Sequence, residues 1–170
     1  MTTTSSYSVS TFSENYVDKL RKLLMFQMGK LNLALPVESV KKIIHYTPMQ
    51  GSGTTPVGII HIDNQEITSI DLHKRLFKVS RKNQSESRQF MIIAKDSTDE
   101  LFALVVGETP SLVNIPISQI RVLPDSYRRG DTLDVASHVI MIKQEDQSLT
   151  VFILDVDRLV TPIGVGDFIS

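Results

Sequence analysis

Apolar and polar positions follow the same plan in two parts of the chain. In residues 58–77, and again in residues 138–160, an apolar run, a short polar turn and a second apolar run are followed by an aspartate and a helix-like tail. Two short apolar runs around a polar turn predict a β-hairpin. An aspartate at this point can accept amide hydrogens of the first helical turn, and its charge favours the helix dipole. We therefore predict that Asp71 and Asp155 cap helices in two similar β-rich halves.

Each half also begins with a predicted hairpin. Residues 23–36 contain two apolar runs around a Met-Gly-Lys turn, and residues 90–107 contain two apolar runs around a polar turn. A less regular stretch follows each hairpin. Four or five short strands per half are best closed into a barrel, because closure leaves no exposed sheet edge. The pattern predicts an all-β protein with short helices, built as two small barrels of about residues 23–79 and 88–160.

The remaining segments are predicted to connect or flank the barrels. Residues 1–22 are expected to form a flexible Ser/Thr-rich tail that leads into a short helix over Ser13–Leu24. The polar stretch Ser80–Ser87 has no periodicity and is expected to be a solvated connector. Residues 161–170 are expected to form a C-terminal tail after the second barrel.

Composition narrows the function classes. The chain has 18 basic and 19 acidic residues, a balance that argues against a nucleic-acid or membrane-surface footprint. No apolar run approaches the roughly 20 residues that span a bilayer, and the N-terminal residues lack the pattern of a secretory signal. Cysteine is absent, which excludes disulfides and favours a cytoplasmic location. We expect a cytoplasmic protein without direct membrane insertion.

Residues that could carry chemistry are sparse. The histidines His45, His61, His73 and His138 are scattered without metal-ligand spacing, although the hairpin and helix could bring His61 near His73. The glycine-rich stretch Met49–Pro56 lacks the Gly-Lys-Ser/Thr ending of a phosphate loop and is expected to be a mobile surface loop. No Gly-x-Ser-x-Gly elbow occurs. The sequence predicts no enzyme activity, no metal and no cofactor.

Several segments between Leu24 and Val160 carry a resemblance in their order and spacing. They are Val37–Ile43, Gly58–Ile62, Ile70–Leu72, Ala103–Val106, Ile120–Pro124 and Ile153–Leu159. Together they resemble the CheW-like proteins, adaptors that couple chemoreceptors to a histidine kinase in bacterial signalling arrays. The resemblance implies two five-stranded SH3-like barrels without an active site. It also implies surfaces that hold the CheW-like regulatory domain of a CheA-type histidine kinase and the cytoplasmic tip of a chemoreceptor.

Charged positions in the first half depart from the family pattern. Lys42 stands where the family has glutamate, and the turn Asp63-Asn64 stands where it has Arg-Gly. The turn itself is kept, since Asp and Asn tolerate positive φ. We expect Val40, Lys42, Asp63 and Asn64 to form the partner-binding surface of a divergent adaptor. The alternative explanation of the two reversed charges is neutral drift at exposed positions.

Two further function classes stay open. One is a CheW-like scaffold of a pilus- or gliding-motility complex that no longer couples to a kinase. The other is a small barrel that binds nucleic acid or a metabolite. The second is weakened because aromatic residues make up only 6% of the chain and tryptophan is absent, whereas single-strand binding relies on aromatic stacking.

Overall fold

The computed structural model describes residues 19–51, 55–78, 89–128 and 133–160. The strands are β1 (Leu20–Met28), β2 (Leu31–Pro36), β3 (Val40–His45), β4 (Val57–Ile62), β5 (Gln65–Asp71), β6 (Phe90–Lys95), β7 (Leu101–Val106), β8 (Ser111–Pro116), β9 (Arg121–Val122), β10 (Ala136–Gln144) and β11 (Gln147–Leu154). The helices are α1 (Leu72–Phe77), α2 (Asp125–Arg128) and α3 (Val156–Val160), and two 3-10 turns cover Val37–Ser39 and Ile117–Gln119. The predicted all-β class with short helices is confirmed. The predicted connector and C-terminal tail, and most of the predicted N-terminal tail, lie outside the described residues.

The strands form two sheets. The six-stranded sheet has the order β8-β1-β2-β11-β10-β9, and the five-stranded sheet has the order β3-β6-β7-β5-β4. Each sheet contains one parallel pair, β2 with β11 and β5 with β7, and its other neighbours are antiparallel. The six-stranded sheet has one strand more than the sequence predicted.

The predicted hairpin at the start of each half lies in the sheet that is otherwise built from the other half of the chain. The hairpin β1–β2 lies in the sheet otherwise formed by the second half of the chain, and β6–β7 lies in the sheet formed by β3, β4 and β5. The predicted barrel boundaries, about residues 23–79 and 88–160, are therefore wrong. The physical reason is that both hairpins are apolar on both faces, and such strands need the middle of a sheet with cover on each side.

Apolar residues form three clusters, which explains this two-sided burial. One cluster lies inside the six-stranded sheet and includes Leu23 and Ile140, and a second lies inside the five-stranded sheet and includes Met91 and Ile93. The third and largest contains residues of both sheets and of two helices, such as Leu24, Phe102, Leu76 and Leu159. Each sheet thus encloses its own interior, and the third cluster is a core that the two barrels share.

The predicted N-terminal helix is wrong where the structure describes it. Residues 20–24, which the sequence placed at the end of a helix over Ser13–Leu24, belong to β1. This strand pairs with β2 on one side and with β8 on the other. Pairing on both sides outweighs the weak local preference that suggested a helix. Residues 13–18 of the predicted helix lie outside the described residues. No helix in the described part of the chain is long and apolar enough to cross a bilayer.

Candidate partner-binding surface

The turn Asp63-Asn64 joins β4 to β5 at one end of the five-stranded sheet. Ile62 and Gln65 are paired across the turn, so the loop has two residues. Asp63 has φ of 52° and Asn64 has φ of 62°. Positive φ at both central residues is what a type I′ hairpin requires, and Asp and Asn adopt it more readily than other side chains. The predicted two-residue turn is confirmed.

Lys42 and Asp63, the two charges that depart from the family pattern, contact each other. The Nζ atom of Lys42 lies 3.1 Å from Oδ2 of Asp63, to which it donates a hydrogen bond. Lys42 is on β3 and Asp63 follows β4, so the ion pair joins the two strands that end the order of the five-stranded sheet. The side chains are 45% and 82% exposed. The charges are therefore open to a partner while they hold each other in place.

Val40 and Asn64 have different surroundings. Val40 is half-buried and packs against the shared core, and a β-bulge separates it from Lys42 in the pairing of β3 with β6. Asn64 is exposed beside Asp63. Of the four predicted site residues, the structure thus brings Lys42, Asp63 and Asn64 together at the surface, whereas Val40 contributes mainly to packing.

Exposed apolar side chains on the same sheet were not predicted as part of the surface. Ile43, Val57 and Ile59 are 40%, 37% and 44% exposed. Ile43 lies on β3, whereas Val57 and Ile59 lie on β4, where they alternate with the buried residues Gly58 and Ile60. One face of β4 therefore points to the interior and the other to solvent. The signal was present in the sequence, because an alternating strand with apolar residues at both parities exposes one apolar set.

One polar pair lies on the same outward face. His61 Nε2 lies 3.2 Å from Glu66 Oε1 across the β4–β5 hairpin, and both side chains are exposed.

Gly58 lets the preceding segment cross β4 closely, since a Cβ there would lie 3.0 Å from the carbonyl oxygen of Gln50. Gln50 exchanges two backbone hydrogen bonds with Ile59, each of 2.9 Å. One end of the predicted loop Met49–Pro56 is therefore tied to β4, while residues 52–54 lie outside the described residues.

The two repeated aspartates are helix caps, as predicted. Asp71 Oδ1 accepts a hydrogen bond from the amide of Lys74 at 3.1 Å. Asp155 Oδ1 accepts one from the amide of Asp157 at 3.0 Å, and its carbonyl oxygen accepts one from the amide of Leu159 at 3.1 Å. These bonds satisfy donors that the first turn of a helix would leave unpaired. The structure therefore gives both carboxylates a local structural role.

Metal-binding geometry is not found in the described part of the chain, which contains no group of three or more His, Asp or Glu side chains able to hold an ion. An apolar hollow of about 240 Å³ lies at one end of the six-stranded sheet beside Pro36, Ile120, His138 and Asp155. Its walls come from strand ends and the α3 cap.

Comparison with known proteins places this fold in a family. The family model for the CheW-like domain matches residues 22–163. Among solved structures, the scaffolding protein TtCheW from Thermoanaerobacter tengcongensis superposes with a TM-score of 0.65 at 18% sequence identity, over 81% of this chain and 86% of that one. A search of curated proteins found no match. The match over most of the chain, with the double-barrel fold, makes this protein a member of the CheW-like domain family.

Proposed function

We propose that this protein is a non-catalytic adaptor that couples chemoreceptors to a CheA-type histidine kinase in chemotaxis signalling. The observation that carries the proposal is the CheW-like domain match over residues 22–163, together with two barrels that offer outward-facing surfaces. A scaffold of this kind works by binding two partners at once. The proposed partners are the kinase regulatory domain and the receptor's cytoplasmic tip, and the proposed location is the cytoplasm, at membrane-associated receptor arrays.

The candidate contact surface on the five-stranded sheet supports a binding role. It combines the exposed Lys42–Asp63 pair with the exposed apolar side chains Ile43, Val57 and Ile59. Apolar contacts supply most of the affinity of a protein interface, and charges set its specificity and encounter rate. A surface that carries both is suited to one partner rather than to many.

The reversed polarity of the ion pair bears on which partner this is. The resemblance implies glutamate at position 42 and arginine at position 63, so this chain has an ion pair at the same two positions with the signs exchanged. Exchange of both residues keeps the attraction within the chain, but a partner then faces opposite charges. Because like charges at an interface cost several kcal/mol, we propose that the native partner differs from family-typical partners at the facing positions.

A second candidate function is favoured by the same observation. If the reversal has removed kinase binding, the chain would serve as a scaffold of a pilus- or gliding-motility complex. The two functions differ in what binds to the protein, and an affinity pull-down from native cells separates them. A receptor and a histidine kinase in the eluate would support coupling, and motility proteins without a kinase would support the second function. Bound nucleic acid would contradict both.

The matched control for the pull-down is a variant whose interior is unchanged. Replacing Ile59 by Asp places a charge in the exposed apolar surface, where it is not expected to disturb the core. Partners that bind this surface should be lost from the eluate of the Ile59→Asp variant. Proteins that remain in both eluates bind elsewhere or nonspecifically.

A further inference from the structure

Two arginines at equivalent places in the repeat converge on one residue. Arg75 lies on α1, which follows the five-stranded sheet, and Arg158 lies on α3, which follows the six-stranded sheet. The Nη2 atom of Arg75 donates to Oδ2 of Asp134 at 2.9 Å, and the Nη1 atom of Arg158 donates to the carbonyl oxygen of Asp134 at 2.9 Å. A single residue before β10 thus connects the helices of both barrels.

A gain in folding stability does not explain the contact of the buried Arg75 with Asp134. The side chain of Arg75 is only 8% exposed, whereas that of Asp134 is 41% exposed, and the Nε atom of Arg75 and the Oδ1 atom of Asp134 are buried without a hydrogen-bond partner. Burying the guanidinium of Arg75 carries a desolvation penalty, which is offset only when its remaining polar atoms are also satisfied. Replacement of such a pair by apolar side chains of similar volume is often neutral or stabilising.

The contacts of Arg75 and Arg158 with Asp134 can instead fix the relative orientation of the two barrels. The shared core holds the barrels together through apolar contacts, which are not directional. Hydrogen bonds weaken steeply when their angles change, so the Arg75–Asp134–Arg158 contacts fix one arrangement. A further directional contact joins the two barrels. Asp157 Oδ1 on α3 accepts a hydrogen bond of 2.9 Å from the amide of Ser97 in the β6–β7 turn.

We propose that Asp134 is a positioning residue that sets the relative orientation of the two barrels through Arg75 and Arg158. Removal of the charged pair then leaves the barrels folded and joined by the shared core, but no longer confined to one angle.

The test measures the distance between the barrels. Because the chain has no cysteine, spin labels can be placed through Thr68→Cys on the five-stranded sheet and Asn114→Cys on the six-stranded sheet, both at exposed positions. Pulsed electron spin resonance then gives the distance distribution in the labelled wild type. It is compared with that of the labelled double variant Arg75→Met with Asp134→Leu, which replaces both members of the ion pair by apolar side chains.

We expect the double variant to unfold at a urea concentration close to that of the wild type, while its distance distribution is broader or shifted. The matched control is Arg21→Met with Glu38→Leu, which removes an exposed arginine–carboxylate pair at 3.9 Å and should leave the distribution unchanged. If the double variant does not fold, the single variant Arg75→Met gives the answer, since it removes the donor of the hydrogen bond to Asp134 and leaves the partly exposed carboxylate in contact with solvent. A wild-type distance distribution in the folded variants would overturn the proposal.

Discussion

Exchange of the two charges of the Lys42–Asp63 pair tests whether polarity at this surface selects the partner. The double variant Lys42→Glu with Asp63→Arg keeps an attractive pair and reverses the charges that a partner meets. At the observed 3.1 Å, two unit charges attract by about 1.3 kcal/mol in bulk water, and exposed pairs contribute roughly 0.2–1 kcal/mol when measured. The double variant should therefore fold, and changes in binding can be assigned to the surface.

Stability measurements establish that baseline. Each single substitution replaces attraction by repulsion and should lower the free energy of unfolding by about 0.5–1.5 kcal/mol in urea titrations at low salt. Asp63 has φ of 52°, so arginine there should cost roughly 1 kcal/mol more. This backbone cost occurs in the single and the double variant and cancels in the double-mutant cycle. A coupling energy of zero at low salt would show that the two side chains do not interact in solution.

Isothermal titration then measures the affinities that decide the matter. The wild type and the double variant are each titrated with the regulatory domain of the native kinase and with that of a kinase whose own adaptor has glutamate and arginine at these positions. We expect the exchange to weaken native binding and to strengthen binding of the second domain, each by at least tenfold, which corresponds to about 1.4 kcal/mol. Four unchanged affinities would refute the reasoning and leave neutral drift as the explanation.

Three further predictions follow from local geometry. Alanine at Asp71 or at Asp155 should lower the free energy of unfolding by about 0.5–2 kcal/mol in urea titrations, and asparagine should recover most of the loss if capping is the cause. Alanine at Gly29 should lower the midpoint of thermal unfolding, because this residue has φ of 61° and an added Cβ would lie 3.2 Å from the ring of Phe77 on α1. An unchanged midpoint would contradict this packing. Hydrogen bonds from the side chain and the amide of Thr98 hold the pKa of Asp96 below its ordinary value of 3.8. A carboxyl group whose pKa is lower in the folded than in the unfolded protein stabilises the fold at pH values above its unfolded-state pKa, and this contribution is lost as pH falls. The difference in free energy of unfolding between wild type and Asp96→Asn should therefore shrink as pH falls below about 4. A difference independent of pH would contradict the assignment.

Features set by neighbouring residues could be predicted from the sequence. The two-residue turn at Asp63-Asn64 and the caps at Asp71 and Asp155 depend on contacts within a few positions, and all of them are confirmed. The hairpins themselves also follow from short apolar runs on either side of a turn. Local chemistry is sufficient here because each of these features satisfies its own hydrogen bonds.

The partners of the hairpins could not be predicted in this way. In the parallel pair of β2 with β11, Asn32 lies opposite Val151. A run that is apolar on both faces indicates a buried strand, but it does not say which strand lies beside it. The exchange of hairpins between the halves is therefore a property of the folded chain.

One part of the repeat was missed although the sequence contained its signal. Pro36 and Pro116 have nearly identical backbone angles, with φ of −58° and −59° and ψ of 132° in both, and each begins a three-residue 3-10 turn. The turns lead to Val40 and Ile120, so both segments read as proline, a β-branched residue, two polar residues and a β-branched residue. Both segments lie in the stretches that the apolar pattern predicts to be irregular.

The contact between Lys42 and Asp63 also depends on the tertiary fold. The two residues are 21 positions apart, and the sequence predicts both on one surface without predicting a contact between them. They meet because β3 and the β4–β5 turn approach each other when the five-stranded sheet curls. The sequence could identify the two positions, but only the structure shows that they form one ion pair.

The most direct test of the proposed adaptor function is the autophosphorylation rate of the native histidine kinase, reconstituted with its receptor in vesicles, with and without this protein. We predict that the receptor alters the kinase rate only when the adaptor is present. The Ile59→Asp variant should remove this effect while it remains folded. If receptor control of the kinase were the same with and without the wild-type protein, the proposed coupling role would be contradicted.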